Sequence, residues 1–338
     1  MPNNVRSMPN NAGRSDALPS AGWANLQMRA QLLRRVRAFF DEREFLEVET
    51  PILSADTVVD RHLDPFRVPL GPPAPAGLPA QAMWLQTSPE FGMKRLLAAG
   101  GRAIYQITRA FRRDELGKLH NCEFTMVEWY RVGDAMLQGI ALLDDLQESL
   151  LGRGRAEMAT YGDVFAEHVG IDPHTAGGEE LTAAARRHGL SWPESLAPDD
   201  RDGWLDLLWA ERVQPHLGRA RPAIVRDFPA GQAALARVRE DSPPVAERFE
   251  LYAAGIELAN GYHELVDPAV LRRRNAENNR RRVADGKTPL PEESRLLAAM
   301  DRGLPPCTGV ALGFDRLVMV AVGASCLAEV MAFPFDRA

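Results

Sequence analysis

The segment Phe111 to Tyr130, FRRDELGKLHNCEFTMVEWY, holds most of the chemistry that this sequence offers. An arginine and two acids, Arg112, Asp114 and Glu115, follow an apolar strand. A basic, His-containing loop comes next, and then a second strand with Glu128 and Tyr130. Strand alternation puts Phe124, Met126, Glu128 and Tyr130 on one face. A carboxylate on an apolar face costs free energy unless it has a partner, and a ligand ammonium is one such partner. The stretch therefore reads as a site for a triphosphate and an amine-bearing substrate together. Arg112 and Arg316 are candidates for phosphate oxygens, which the guanidinium fork fits. Taken singly, either reads as a surface or salt-bridge arginine.

Glu250 and Glu257 sit among apolar strand residues and suit Mg²⁺, which takes one or two carboxylates plus phosphate oxygens and water. Alone they read as solvated strand positions. Glu264, after Asn260-Gly261-Tyr262-His263, can pair with Glu128 around a substrate amine. The alternative is a cross-strand salt bridge to an arginine. His120 and His263 are possible bases but fit structural roles better. The run Arg272 to Arg282 is a solvated helix face or, as a second choice, a contact for an acidic protein partner. GxxxxGK[ST] and GxGxxG fingerprints are missing, so P-loop and Rossmann sites have no support.

These residues need a framework. The chain has 338 residues, 45% of them hydrophobic, enough for a large core. A net charge of -6 argues against an extended nucleic-acid surface. The three cysteines, Cys122, Cys307 and Cys326, have neither CxxC nor zinc spacing, which fits free thiols in the cytoplasm. Residues 1–22 are polar, lack the apolar core of a signal peptide and are expected to be disordered to about Ala21. A membrane span is not expected, because Asp315 and Arg316 interrupt the apolar region Val310 to Val322.

Trp23 to Asp41 reads as a helix with Leu32, Val36, Phe39 and Phe40 on one face. Strands are expected over Phe45 to Thr50, Met83 to Thr87, Arg102 to Phe111, Ala246 to Tyr252, Ile256 to Leu265 and Val310 to Phe314. Leu70 to Pro79 is a Pro/Gly loop. Ser88-Pro89-Glu90 opens a helix with Ser88 as N-cap. Residues 141–225 read as mostly helical, with Ala183 to His188 and Trp204 to Val213 as examples. Asp267-Pro268 caps the basic helix, Leu296 to Met300 lies in a short one, and a last helix starts near Asp315. Paired strands without strict βαβ alternation predict an α+β fold, an antiparallel sheet with helices on one side.

Together these segments resemble the catalytic core of class II aminoacyl-tRNA synthetases, the lysyl enzymes in particular. LLRRVRAFFDEREFLEVETP (Leu32 to Pro51), FRRDELGKLHNCEFTMVEWY and GVALGFDR (Gly309 to Arg316) are similar to the three class II motifs in order. TSPE (Thr87 to Glu90) and GIELANGYHEL (Gly255 to Leu265) are similar to further lysyl-type segments. The likeness runs from Trp23 to Ala338. About 22 residues precede the first block, too few for an anticodon-binding domain of roughly a hundred residues. With DFPAGQAALARV (Asp227 to Val238), and Ala311 where the tRNA-charging enzymes have glycine, the sequence resembles the stand-alone lysyl-type branch that modifies translation elongation factor P.

What the resemblance implies is an ATP- and Mg²⁺-dependent ligase of one catalytic domain, residues 23–338 with a helical insertion at about 141–225, paired as a homodimer through the first motif. The substrates implied are lysine or (R)-β-lysine and a lysine side chain of elongation factor P, with tRNA and membranes uninvolved. It implies Arg112 at the α-phosphate and substrate carboxylate, and Arg316 at the γ-phosphate. Arg113, Asp114, Asn121, Glu257, Leu258 and Gly313 complete the ATP set, and Glu250 with Glu257 holds the metal. Ser88, Pro89, Glu90, Glu128, Tyr130, Asn260, Glu264 and Ala311 form the amino-acid pocket. The second motif commonly reads Arg-Asn-Glu; here it is Arg112-Arg113-Asp114, with Glu115 able to take over from the shorter acid. A free-standing aminoacyl-tRNA synthetase, a small-amine ligase and an inactive paralogue are the competing readings.

Overall fold

A computed structural model describes residues 17–71 and 82–338. The N-terminal extension to residue 16 and most of the Leu70 to Pro79 loop lie outside the described residues. At the end of the segment expected to be disordered, Ser20 and Ala21 donate backbone N–H groups to Ala332 (2.9 Å) and Met331 (3.2 Å), anchoring the start of the chain beside its end.

The first helix, α1 (Trp23–Asp41), buries the stripe Leu32, Val36, Phe39 and Phe40. It is followed by the two-residue strand β1 (Leu46–Glu47), shorter than expected. A small antiparallel sheet, β2 (Leu53–Ser54), β3 (Arg67–Pro69) and β4 (Ala82–Leu85), leads to α2 (Glu90–Ala98). At its start Pro89 is the N-cap and Ser88 Oγ accepts the Glu90 N–H (3.0 Å), one position off the expected cap. The hairpin β5 (Ala103–Phe111) and β6 (Glu123–Val132) follows, then α3 (Met136–Leu151).

Residues 141–225 hold α4 (Tyr161–Val169), α5 (Gly178–Arg187) and α6 (Arg201–Leu208), but also β7 (Glu157–Thr160) and the start of β8 (Ala223–Pro229). The chain ends with β9 (Val238–Arg239), β10 (Val245–Ala253), β11 (Ile256–His263), α7 (Pro268–Ala284), α8 (Arg295–Met300), β12 (Cys307–Gly313) and α9 (Phe314–Val322). Asp267 caps α7 by accepting the N–H groups of Ala269 (2.8 Å) and Val270 (3.4 Å).

The main sheet runs β1-β5-β6-β12-β11-β10-β8-β7, with β9 paired to β10. Its long central pairs are antiparallel; β1 on β5 and β7 on β8 are parallel. The fold is α+β, as expected. On one face α1, α3 and α9 cover Tyr105, Val127, Trp129, Phe249, Leu251 and Leu312, with Phe40 stacked on Tyr105 at 4.5 Å. Helices also gather on the other face, contrary to the one-sided expectation: α2, α7 and α8 close a second core around Met93, Leu97, Tyr130 and Leu297. The rest of that second face is left open as a cleft.

Candidate active site

Residues opposed across antiparallel strands share a face. The register therefore draws two rows of side chains over four neighbouring strands. One row reads Glu128, Ala311, Asn260, Glu250 on β6, β12, β11 and β10. The other reads Tyr130, Gly309, Tyr262, Arg248. Sequence alternation gave the members of each strand; β12, inserted between β6 and β11, brings them together. Glu257 needs a further device, since it stands three residues from Asn260 and would point to the opposite face. The register shifts between Leu251 and Tyr252, so that Tyr252 meets Glu257 while Leu251 meets Ala259. That extra residue turns Glu257 into the cleft beside Leu258.

The wide part of the cleft encloses about 780 Å³. Arg112 projects into it, with its guanidinium 5.1 Å from the Phe124 ring and Nη1 3.5 Å from Glu115. Its Nε is buried without a hydrogen-bond partner among the described residues, a donor that an anion would satisfy. Opposite, Arg316 at the start of α9 donates to the carbonyls of Leu119 (3.0 Å) and Glu257 (3.1 Å) and meets His120 Nε2 at 2.7 Å. Burial, with Arg316 alongside, holds the His120 imidazole below the usual histidine range, so it is neutral and accepts this bond.

Leu258, Gly313 and Asn121 line the same cleft. A Cβ on Gly313 would meet Leu258 O at 3.7 Å and Arg316 Cδ at 3.9 Å, ordinary contact distances, so a methyl fits here without a clash. The Asn121 amide is engaged structurally, donating to Glu123 O (2.6 Å) and accepting Phe335 N–H (2.9 Å). Arg113 and Asp114 are the departures. β5 has already ended at Phe111; Asp114 lies in the turn that follows with φ 69°, and the exposed side chains of Arg113 and Asp114 pair with each other at 3.1 Å. Glu115 lines the cleft in their place.

Glu250 is buried between Arg248 and the Tyr252 hydroxyl, each of which donates to one of its oxygens. Burial raises its carboxyl to about 7, Arg248 pulling it back and the neighbouring Glu257 pushing it further up. Glu257 is more open and stands 3.5 Å from Arg316. Clusters of three or more metal-ligating residues are absent among the described residues. Two carboxylates close enough to repel, beside an open phosphate-sized space, are the donor set of an ion that completes its shell with phosphate and water. The residues fit magnesium on that ground.

The narrow end, about 140 Å³, is walled by Ser88, Glu90, Glu128, Tyr130, Asn260, Glu264 and Ala311. Pro89 is absent from this wall and serves α2 as its N-cap. Glu128 accepts from Ser88 Oγ (2.7 Å) and from the Tyr130 hydroxyl (2.7 Å). Burial, reinforced by Glu90, raises its carboxyl to about 7. Asn260 Oδ1 is buried with no partner among the described residues, a second vacancy matched to an N–H donor.

Glu264 is ion-paired, but not to an arginine: Lys94 Nζ lies 2.5 Å from its Oε2 and 2.5 Å from Glu90 Oε1. Sequence reading passed over Lys94 because an i,i+4 Glu-Lys pair is the ordinary signature of an exposed helix face. It also passed over Gly309. A Cβ there would meet Tyr130 Cε1 at 2.2 Å and Glu264 Oε1 at 2.3 Å, so only glycine lets both side chains lie across the strand. Arg112 and Asn260 line both parts, making one continuous cleft.

A family model for class II tRNA synthetases (D, K and N) matches residues 21–337. The chain belongs to this family. It is 48% identical to the elongation factor P–(R)-β-lysine ligase of Sodalis glossinidius, over 95% of this chain and 98% of that protein. The Vibrio cholerae protein of the same name is 47% identical over 96% and 99%. That of Klebsiella pneumoniae strain 342 is 46% identical over 95% and 98%. Among the described residues, no helix is long and apolar enough to cross a membrane.

Proposed function

We propose that this protein is an ATP-dependent ligase that activates (R)-β-lysine as an adenylate and transfers it to a lysine side chain of elongation factor P. The observation that carries the reading is one cleft with unsatisfied cationic donors at its wide end and buried carboxylates at its narrow end, joined at Arg112. The names of the relatives above support the substrate and the acceptor.

In the first step a carboxylate oxygen of the amino acid attacks the α-phosphorus of ATP, and the bond to the bridging oxygen breaks to release pyrophosphate. Arg112 holds the substrate carboxylate against the α-phosphate and balances the charge that builds there. Arg316, fixed by the carbonyls of Leu119 and Glu257, neutralises the far end of the triphosphate. Glu250 and Glu257 would hold magnesium, which supplies further charge neutralisation at the phosphate oxygens when bound. Glu128 and Glu264 take the ammonium groups; Ser88 and Tyr130 fix the Glu128 carboxylate in place. In the second step the acceptor ε-amine attacks the acyl carbon, AMP leaves with the bonding pair, and the amine proton passes to solvent.

The reading includes a cytoplasmic homodimer built on the first motif, where Leu46 is exposed, with Trp23 and Met28 exposed on the part of α1 just before it. The test is mass spectrometry of elongation factor P incubated with this protein, ATP, magnesium and each lysine isomer. Addition of one β-lysyl group per factor is expected. Pyrophosphate exchange that charges tRNA and leaves the factor unmodified would sink the proposal.

A further inference from the structure

Behind the carboxylates offered to the substrate stands a cation that neither chemical step uses. Lys94 is 2% exposed, and the two acids it bridges come from separate elements, Glu90 from α2 and Glu264 from just past β11. Burial works against its ammonium, yet Glu264 and Glu90 outweigh that and hold it above the usual lysine range. It occupies Oε1 of Glu90 and Oε2 of Glu264; the other Glu264 oxygen lies over bare Gly309, beside Tyr130.

We propose that Lys94 is a positioning residue which, by taking one oxygen of Glu90 and one of Glu264, aims the remaining oxygens at the substrate and sets the pocket's charge for a diamino acid. The inference rests on the adenylation reading above. With Glu90, Glu128 and Glu264 ionised against the Lys94 ammonium, this cluster keeps an excess of two negative charges; of the arginines that also line the space, Arg112 is given to the substrate carboxylate and Arg274 to the carbonyls of Ala234 and Ala236. A diamino acid brings two ammonium groups to match it. A monoamino acid leaves one buried carboxylate uncompensated, which is strongly unfavourable.

The groups facing Lys94 bear on any change of pH. Glu90 faces it from its own helix, Glu128 and Tyr130 from β6, with the Tyr130 ring centroid 6.0 Å from Nζ. Glu264 approaches from the end of β11, and Cys307 from β12. The α8 side is apolar, with Leu296, Leu297 and Met300. Arg112 and Arg274 also line the pocket, but Lys94 is the cation in contact with Glu90 and Glu264, and it pulls both Glu128 and Glu264 toward ionisation.

The test is pyrophosphate exchange by the full-length Lys94→Met variant between about pH 6 and 8.5, a window spanning the shifted carboxylates. The KM for the diamino acid rises at least about tenfold at neutral pH, while the KM for ATP stays within about twofold. The midpoint of the amino-acid KM profile moves up by about one pH unit or more, because the carboxylates have lost the charge that kept them ionised. Lys94→Gln, which keeps polar contact without charge, shows the same displaced midpoint and serves if the methionine variant does not fold. An amino-acid KM that moves no more than the ATP KM, or an unmoved midpoint in whichever variant folds, overturns the proposal. Absence of exchange in the unaltered protein with any diamino acid instead brings down the adenylation reading itself.

Discussion

The two ends of the cleft recognise charge in opposite ways. At the wide end, Arg112 and Arg316 are partly exposed, and Arg316 is anchored mainly by backbone carbonyls. At the narrow end, Glu128, Glu264 and Lys94 are buried, and every contact that orients them runs between side chains. Partly exposed cations on a loop and a helix start accept a large, flexible polyanion at a smaller desolvation cost than buried ones would. Buried acids are expensive unless a cation of the right number and position arrives, so that end discriminates. Binding strength and selectivity are thus divided between the two ends, and substitutions in one should leave the other's KM in place.

The sharpest way to break this division is at Arg112, which touches both ends. Arg112→Ala removes a positioned cation whose charge matters most in the transition state. A loss of about 3–4 kcal/mol, or roughly 100- to 1000-fold in kcat/KM for pyrophosphate exchange, is expected. Exchange within a few-fold of the unaltered protein would mean that the phosphate is held elsewhere.

Gly309→Ala addresses the narrow end alone. The new methyl meets Tyr130 and Glu264 at distances no real contact has, so either the ring or the carboxylate must move. Overpacking of this kind costs about 1–3 kcal/mol in stability, which denaturant unfolding would report. The amino-acid KM should rise with the stability loss while the ATP KM holds. Equal movement of both constants would show that the ends are not separate.

Much of this arrangement was legible in the sequence. Alternation along β6 placed Met126, Glu128 and Tyr130 together, and the apolar stripe of α1 and the Asp267 cap were read from local pattern. Four things escaped for physical reasons. The β12 strand enters between β6 and β11 although it lies far from either in the chain, and no local signal encodes that neighbour. Glu257 reaches the cleft through a register shift, which alternation by itself denies. Asp114 lies in the turn past β5 at positive φ with its side chain exposed, so adjacency to Arg112 misled. The strand β7 is four residues long and its two ends differ in exposure, too little for a period to emerge.

Proton concentration probes the narrow end without a substitution. Glu128 titrates near 7 because burial, with Glu90 nearby, disfavours its charge. It pairs with a substrate ammonium only when ionised. Glu264, the second acid of the pair, is pushed up to about 8 by the same burial, so the amino-acid KM should level off only above about pH 9 and climb in two stages as the pH falls through about 8 and then about 7. Glu128→Gln, unable to ionise there, should give a high KM that keeps the Glu264 stage near 8 and lacks the stage near 7. A profile in the unaltered protein with no inflection between pH 6 and 8 would remove Glu128 from substrate binding.

The smallest expected effect lies on the border between the ends. Ala311 stands in the row between Glu128 and Asn260 and lines both the wide and the narrow space. Its methyl group occupies volume beside the acids without touching their charge, so it acts on where the amine sits and not on how strongly it binds. Moving the amine by one carbon, as between lysine and β-lysine, is a change of that size. Ala311→Gly should shift the ratio of kcat/KM for the two isomers toward α-lysine by roughly 1 kcal/mol, about fivefold, within the span available to a single methyl. The ATP KM should stay put, because the substitution changes neither Arg112 nor Arg316, the charges that hold the triphosphate. An unchanged isomer ratio would assign the selection to the charge positions of Glu128 and Glu264 alone, and would make the acids, not the strand between them, the ruler of this pocket.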